Sequence, residues 1–248
     1  MSGIVYLVGA GPGAVDLLTL RAARLLAEAD VVLHDALVSA EVLALAPQAK
    51  LCNVGKRAGR PSMDQRLISR LLARLGQRHR IVVRLKGGDP HLFGRASEEL
   101  KACREAGVPV ETVPGVSAAF AAAAALGVSL TERGVSRSVT FVTPSVGRGE
   151  AEGAHWARAA AAAETAVIYM GASHEARVRA SLLELGVPAS RPVALVESAS
   201  WAEQRVFGGV LGDLPELAAR VGEGPAIMVL GEVAADVRAA RALAEQAA

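Results

Sequence analysis

The chain is 248 residues long, 52% hydrophobic and 21% charged, which gives enough apolar material for one large or two modest cores and excludes a disordered protein. A formal net charge of +2 provides no broad basic field, so nucleic-acid binding by bulk electrostatics is disfavoured. The most apolar run, Ala118 to Val128, is too short to span a bilayer, and Cys52 and Cys103 stand apart without metal-ligand spacing, so no metal site is expected. The chain runs from Met1-Ser2-Gly3 straight into a β-branched segment with no basic leader, which makes a cytoplasmic location the expectation.

In chain order, β-branched runs predict strands near 4–8, 31–33, 50–54, 80–85 and 109–113. Apolar residues at three- and four-residue spacing predict helices near 19–29, 40–45, 64–76 and 95–106. Strict alternation of strand and helix implies a parallel sheet covered on both faces. The turn Val113-Pro114-Gly115 closes this half, giving an expected N-terminal domain of residues 1–113 and a C-terminal domain of residues 114–248. The second half opens with an Ala-rich helix near 117–126, stopped at Gly127. Strands are expected near 138–142, 165–169 and 193–197. Pro192–Glu197 and Gln204–Val210 leave no room for an intervening helix and should pair antiparallel. A last strand, Ala226–Leu230, leads into a C-terminal helix, and residues 144–153 read as a flexible loop. The fold class is therefore α/β: a parallel-sheet domain followed by a mixed-sheet domain, with a cleft between them.

Four segments carry candidate chemistry. Gly9-Ala10-Gly11-Pro12-Gly13-Ala14 follows the first strand and formally fits a dinucleotide-binding turn, with Asp35 where a ribose acid would stand. Pro12 weighs against that reading because a phosphate loop needs backbone donors, and the next helix starts late, near Thr19. Arg84-Leu85-Lys86-Gly87-Gly88-Asp89-Pro90 ends another strand. There Asp89-Pro90 fits a helix N-cap followed by proline at N1, while the glycines keep backbone clear for a ligand. In Pro114-Gly115-Val116-Ser117-Ala118-Ala119, Ser117 suits a helix cap or a ligand contact. His34-Asp35-Ala36-Leu37-Val38 and Gly55-Lys56-Arg57-Ala58-Gly59-Arg60 place an acid and a basic cluster at strand ends, where an anion site or a solvated face would each fit.

Taken together these segments resemble the tetrapyrrole methylase family. The resemblance continues through Asp16-Leu17-Leu18-Thr19-Leu20, Ala29-Asp30-Val31-Val32, Ser138-Val139-Thr140, Tyr169-Met170-Gly171, Pro192–Glu197, Gln204-Arg205-Val206 and Gly224-Pro225-Ala226, in order along nearly the whole chain. It implies two α/β domains with S-adenosylmethionine in the cleft between them, and it outweighs the dinucleotide reading. Carried over by position, it places Pro12, Gly87, Gly88, Asp89, Leu92, Ser117, Ala118, Met170, Ala199 and Ala226 against the cofactor, with the substrate on the side of the N-terminal domain. The reaction implied is methyl transfer to C2 and C7 of uroporphyrinogen III, giving precorrin-2 for a cobalamin- or sirohaem-type route. Asp35 would be the proton acceptor and Lys56 the proton donor or an anion contact. The eight substrate carboxylates suggest Arg57, Arg60, Arg84 and Arg133 as partners. A homodimer is implied as well.

The chain departs from the family pattern at His34, at Pro61, at Glu132 within Leu130-Thr131-Glu132-Arg133, and at Thr143-Pro144-Ser145. These positions belong to the substrate side, so a methylase of a later corrin precursor remains an alternative. A dinucleotide-dependent oxidoreductase and a non-catalytic binding module are the rival classes.

Overall fold

The computed structural model describes residues 3–55, 64–145 and 153–237. The chain divides into two compact units, Met1–Ala118 and Ala119–Ala248, where the sequence pattern set the boundary at residue 113.

The first unit alternates strand and helix as expected: β1 (Ile4–Gly9), α1 (Leu20–Glu28), β2 (Val31–His34), α2 (Ala40–Leu43), β3 (Lys50–Asn53), α3 (Gln65–Gly76), β4 (Ile81–Lys86), α4 (Ala96–Glu105) and β5 (Val110–Val113). All five strands are parallel, in the order β3-β2-β4-β1-β5. Thr19 caps α1 by accepting from the Ala22 amide, and the helix buries Ala22, Leu25 and Leu26, one side of its 3.6-residue period.

Side-chain alternation splits the core into two layers. Val8, Val32, Val83 and Leu85 face α1 and α2. Val5, Leu7, Val31, Leu33 and Val82 face α3 and α4, with Ile68, Leu72 and Cys103. Along β4 the second face continues through positions 84 and 86, so Arg84 and Lys86 are carried beneath the helices at the strand's carboxyl end.

The second unit opens with α5 (Ala118–Leu126), which ends before Gly127 at φ +68°. It continues with β6 (Val139–Val142), α6 (His155–Ala162), β7 (Thr165–Tyr169), α7 (Glu175–Glu184), β8 (Pro192–Glu197), β9 (Arg205–Val210), α8 (Leu214–Ala218) and β10 (Ala226–Leu230). The sheet order is β6-β7-β10-β8-β9. Only β6 and β7 are parallel, and β8 and β9 form the anticipated antiparallel pair. One core gathers Ile168, Leu195, Phe207 and Met228 under Val178, Leu182, Leu214 and Leu217. The helices α6, α7 and α8 were not among the sequence expectations. The expected C-terminal helix and the 144–153 loop fall largely on residues 238–248 and 146–152, outside the described residues.

One local expectation is corrected. No helix begins at Pro90: α4 starts at Ala96, after a turn in which Arg95 adopts φ 55° and provides no side-chain cap. Asp89 is therefore not a helix N-cap.

Candidate functional site

The described residues of the four motifs lie at the carboxyl edge of the first unit's sheet, the edge where open α/β sheets take ligands. Because β1 and β4 are adjacent and in register, the loops that follow them meet. Gly11 and Gly88 form a reciprocal bridge, with the Gly88 amide donating to the Gly11 carbonyl (2.7 Å) and the Gly11 amide to the Gly88 carbonyl (3.3 Å). Asp89 then ties in the third motif: its Oδ1 accepts from the His91 amide (2.8 Å) and its Oδ2 from the Gly115 amide (3.0 Å). Packing there excludes a side chain, since a Cβ on Gly115 would lie 2.4 Å from the Gly88 carbonyl oxygen and 2.8 Å from the Gly9 Cα. The loop after β2 joins through Ser39, whose hydroxyl caps α2 at Val42 and donates to the Gly13 carbonyl (3.3 Å). Gly55 follows β3 and presses on the backbone of Ala36. Lys56, Arg57 and Arg60 lie outside the described residues.

This bridge overturns the dinucleotide reading. Both backbone groups of Gly11 are committed to Gly88, Pro12 has no N–H, and the glycines are followed by a single 3-10 turn, Val15–Leu17, with the first α-helix starting only at Leu20.

The substrate role suggested for Arg84 is also corrected. Its side chain is 2% exposed and each guanidinium nitrogen donates to a protein acceptor: Nη2 to Asp35 Oδ1 (2.5 Å), Nε to Glu99 Oε1 (2.9 Å) and Nη1 to the Leu85 carbonyl (3.1 Å). It cannot also grip a carboxylate arriving from solvent. Lys86 Nζ donates to Glu99 Oε2 (3.1 Å), and Gln65 Nε2 to Glu99 Oε1 (3.1 Å). Burial lowers the Arg84 pKa, but Asp35 and Glu99 outweigh it and leave the guanidinium above its ordinary range. Burial, with Arg84 alongside, holds the Lys86 ammonium below the usual lysine range, Glu99 and Asp35 opposing. Sequence reading missed Glu99. The available signal was an acid within the inward stripe Ala96, Glu99, Cys103 of α4.

In the second unit, β10 runs antiparallel to both neighbours, so its start lies at the ends of β7 and β8. Ala226 therefore pairs with Glu197, and Ile227 with Tyr169, which brings the positions of Met170, Ala199 and Ala226 to one edge. Backbone strain concentrates here: Met170, Ser198 and Ser200 all have positive φ (56°, 50° and 72°). Glu197 braces the edge by accepting from the Gly224 amide (3.1 Å) and Arg205 Nε (2.8 Å). Arg133 is exposed in the turn closed by Glu132 and Ser136. Leu92 is partly buried and Ser117 is buried. Among the described residues there is no cluster of His, Cys, Asp and Glu suited to a metal, and no helix long and apolar enough to cross a membrane.

The profile of the Tetrapyrrole (Corrin/Porphyrin) Methylases matches residues 4–215. The chain belongs to the tetrapyrrole methylase family. Among its relatives, the uroporphyrinogen-III C-methyltransferase of Pseudomonas aeruginosa is 44% identical over 238 residues, 96% of each chain. Siroheme synthase 1 of Serratia proteamaculans is 46% identical over 93% of this chain, which spans 48% of that longer protein. Among solved methylases, the uroporphyrin-III C-methyl transferase of Thermus thermophilus complexed with S-adenyl homocysteine superposes with a TM-score of 0.82 at 42% identity, covering 93% of this chain and 98% of that one. A cobalt precorrin-4 methyltransferase reaches 0.80 at 29% identity, covering 92% and 94%.

Proposed function

We propose that the chain transfers methyl groups from S-adenosylmethionine to C2 and C7 of uroporphyrinogen III, giving precorrin-2. The observation that carries this reading is similarity to the Pseudomonas methyltransferase over 96% of each chain.

The residues present suit the cofactor. A Cβ on Gly87 would meet only Leu37 Cβ, at 3.7 Å, and one on Gly88 would meet nothing nearer than 3.8 Å, so peptide planes there are open to a ligand. Pro12, Gly87, Gly88, Asp89, Leu92, Ser117 and Ala118 of the first unit, and Met170, Ala199 and Ala226 of the second, are the residues assigned to hold it. When bound, the cofactor supplies an electrophilic methyl on its sulfonium. The protein's own work is alignment of a pyrrole carbon with that methyl, exclusion of water, and removal of a ring proton. Asp35, partly exposed beside the glycine edge, is assigned as proton acceptor, and Lys56 as proton donor. Arg57, Arg60 and Arg133 are assigned to the substrate's carboxylates. Arg84 leaves that set because its side chain is 2% exposed and held between Asp35 and Glu99. Assembly as a homodimer and a cytoplasmic location complete the reading.

The departures at Glu132 and at Thr143-Pro144-Ser145 favour one second reading, methylation of a later corrin precursor. Anaerobic incubation with uroporphyrinogen III and labelled S-adenosylmethionine tests both. Two methyls per product are expected; none, with transfer to a later precursor, would overturn the assignment.

A further inference from the structure

Beneath the glycine edge lies a continuous chain of charge: Lys86, Glu99 and Arg84, which the reaction scheme does not use, lead to Asp35, which it does. Its placement follows from the strand period. Positions 84 and 86 of β4 point to the same face, towards α3 and α4, and Glu99 is the inward-facing acid of α4 above them. Glu99 is fully buried, with side-chain exposure of 0%, and Arg84 and Lys86 are nearly so; of the four, Asp35 alone reaches solvent, at 30%. Ion pairs this deep are expensive relative to apolar side chains of similar size, so stability alone does not account for them. What they do provide is geometry. Each guanidinium nitrogen of Arg84 has a different acceptor, which fixes its plane, and Nη2 is aimed at one oxygen of Asp35.

We infer that Glu99 is a positioning residue for the methyl-transfer reaction, clamping Arg84 and Lys86 through its two carboxylate oxygens so that Arg84 holds the Asp35 carboxylate in its working orientation. The inference rests on the reading of Asp35 as proton acceptor. Glu99, with 0% side-chain exposure, acts through Arg84 and Lys86. Gln65 steadies it from α3.

The test uses the full chain with uroporphyrinogen III and S-adenosylmethionine under anaerobic conditions. Glu99→Gln keeps the shape and removes the charge. It is expected to lower kcat about tenfold and displace the pH profile of kcat, with both KM values within about twofold and cofactor affinity by calorimetry unchanged. Asp35→Ala is expected to lower kcat about a hundredfold, the scale of a lost general base. In that background Glu99→Gln should cost nothing further, because its effect runs through Asp35. Should Glu99→Gln fold poorly, Glu99→Gln with Lys86→Gln restores charge balance, and its kcat should stay low while its Tm recovers.

A Glu99→Gln variant with normal kcat, losses that multiply in the double variant with Asp35→Ala, or normal kcat in the charge-balanced pair would each overturn the inference while leaving the functional reading standing. Full activity of Asp35→Ala would remove both the acceptor and its clamp. A wild-type chain that transfers no methyl to uroporphyrinogen III would sink the functional reading itself, and the inference with it.

Discussion

Asp89 joins two loops with one side chain, and both of its oxygens accept from backbone amides, at His91 and Gly115. Charge-assisted bonds of this kind contribute about 1.5–3 kcal/mol each, so their loss is felt locally even where the global fold survives. Asp89→Ala should weaken S-adenosylmethionine binding about tenfold by calorimetry and lower Tm by several degrees. Asp89→Asn should fall between, because it keeps one acceptor but turns an amide donor towards a backbone N–H. Full cofactor affinity in Asp89→Ala would confine the residue to tying the turn.

At the scale of elements, the glycine edge depends on how closely β1, β4 and β5 present their ends. Gly115→Ala puts a methyl against the Gly88 carbonyl and the Gly9 backbone, and neither can swing aside as a side chain would. Overpacking of this type costs about 1–3 kcal/mol. Chemical denaturation should show that loss, and cofactor binding should fall with it; a neutral Gly115→Ala would mean the strand ends are not so tightly set. Most strands and the first unit's helices were legible because Val-rich runs and the Leu25-Leu26 stripe keep their periods without interruption. Two stretches passed unnoticed: Glu175–Glu184 has no sharply one-sided apolar face, and His155–Ala162 is mostly alanine, which marks no stripe of large apolar residues. At the site, the glycines and Asp35 were legible from strand-end position. The fate of Arg84 was not, since a sequence shows a cation without showing the acid brought over it by a helix fifteen residues on. Asp89-Pro90 misled for a related reason: local signals for a cap were satisfied by a turn that reaches across to Gly115.

At the scale of the whole molecule, the two units differ in what they bury. Cys103 is fully buried, and burial, assisted by the nearby Glu99 charge, pushes its thiol from 9.0 up to about 11. The folded state thus keeps a proton that the unfolded chain releases above pH 9, so this contribution to stability falls between pH 9 and about 11, by at most about 1.4 kcal/mol per pH unit. Lys86 acts in the opposite sense, since its lowered pKa costs stability at neutral pH that is recovered as pH rises towards 10.5. Comparing Cys103→Ala with the wild type by urea unfolding from pH 8 to 11 isolates the thiol: the stability gap between them should narrow above pH 9, and a constant gap would refute the assignment. Both groups lie in the first unit, so hydrogen exchange at alkaline pH should change in α4 and β4 while the second unit's sheet is less affected.

The order β3-β2-β4-β1-β5 has a consequence for synthesis. β1 and β2 are made first but are not partners; each must wait for β4 to slot between them. A ribosome-bound chain that stops short of residue 86 therefore carries three strand edges without their partners, both edges of β1 and one of β2, prone to misassociation. Gly11 meets its partner only when Gly88 has emerged, so the glycine bridge cannot form on the growing chain until the central strand has been inserted.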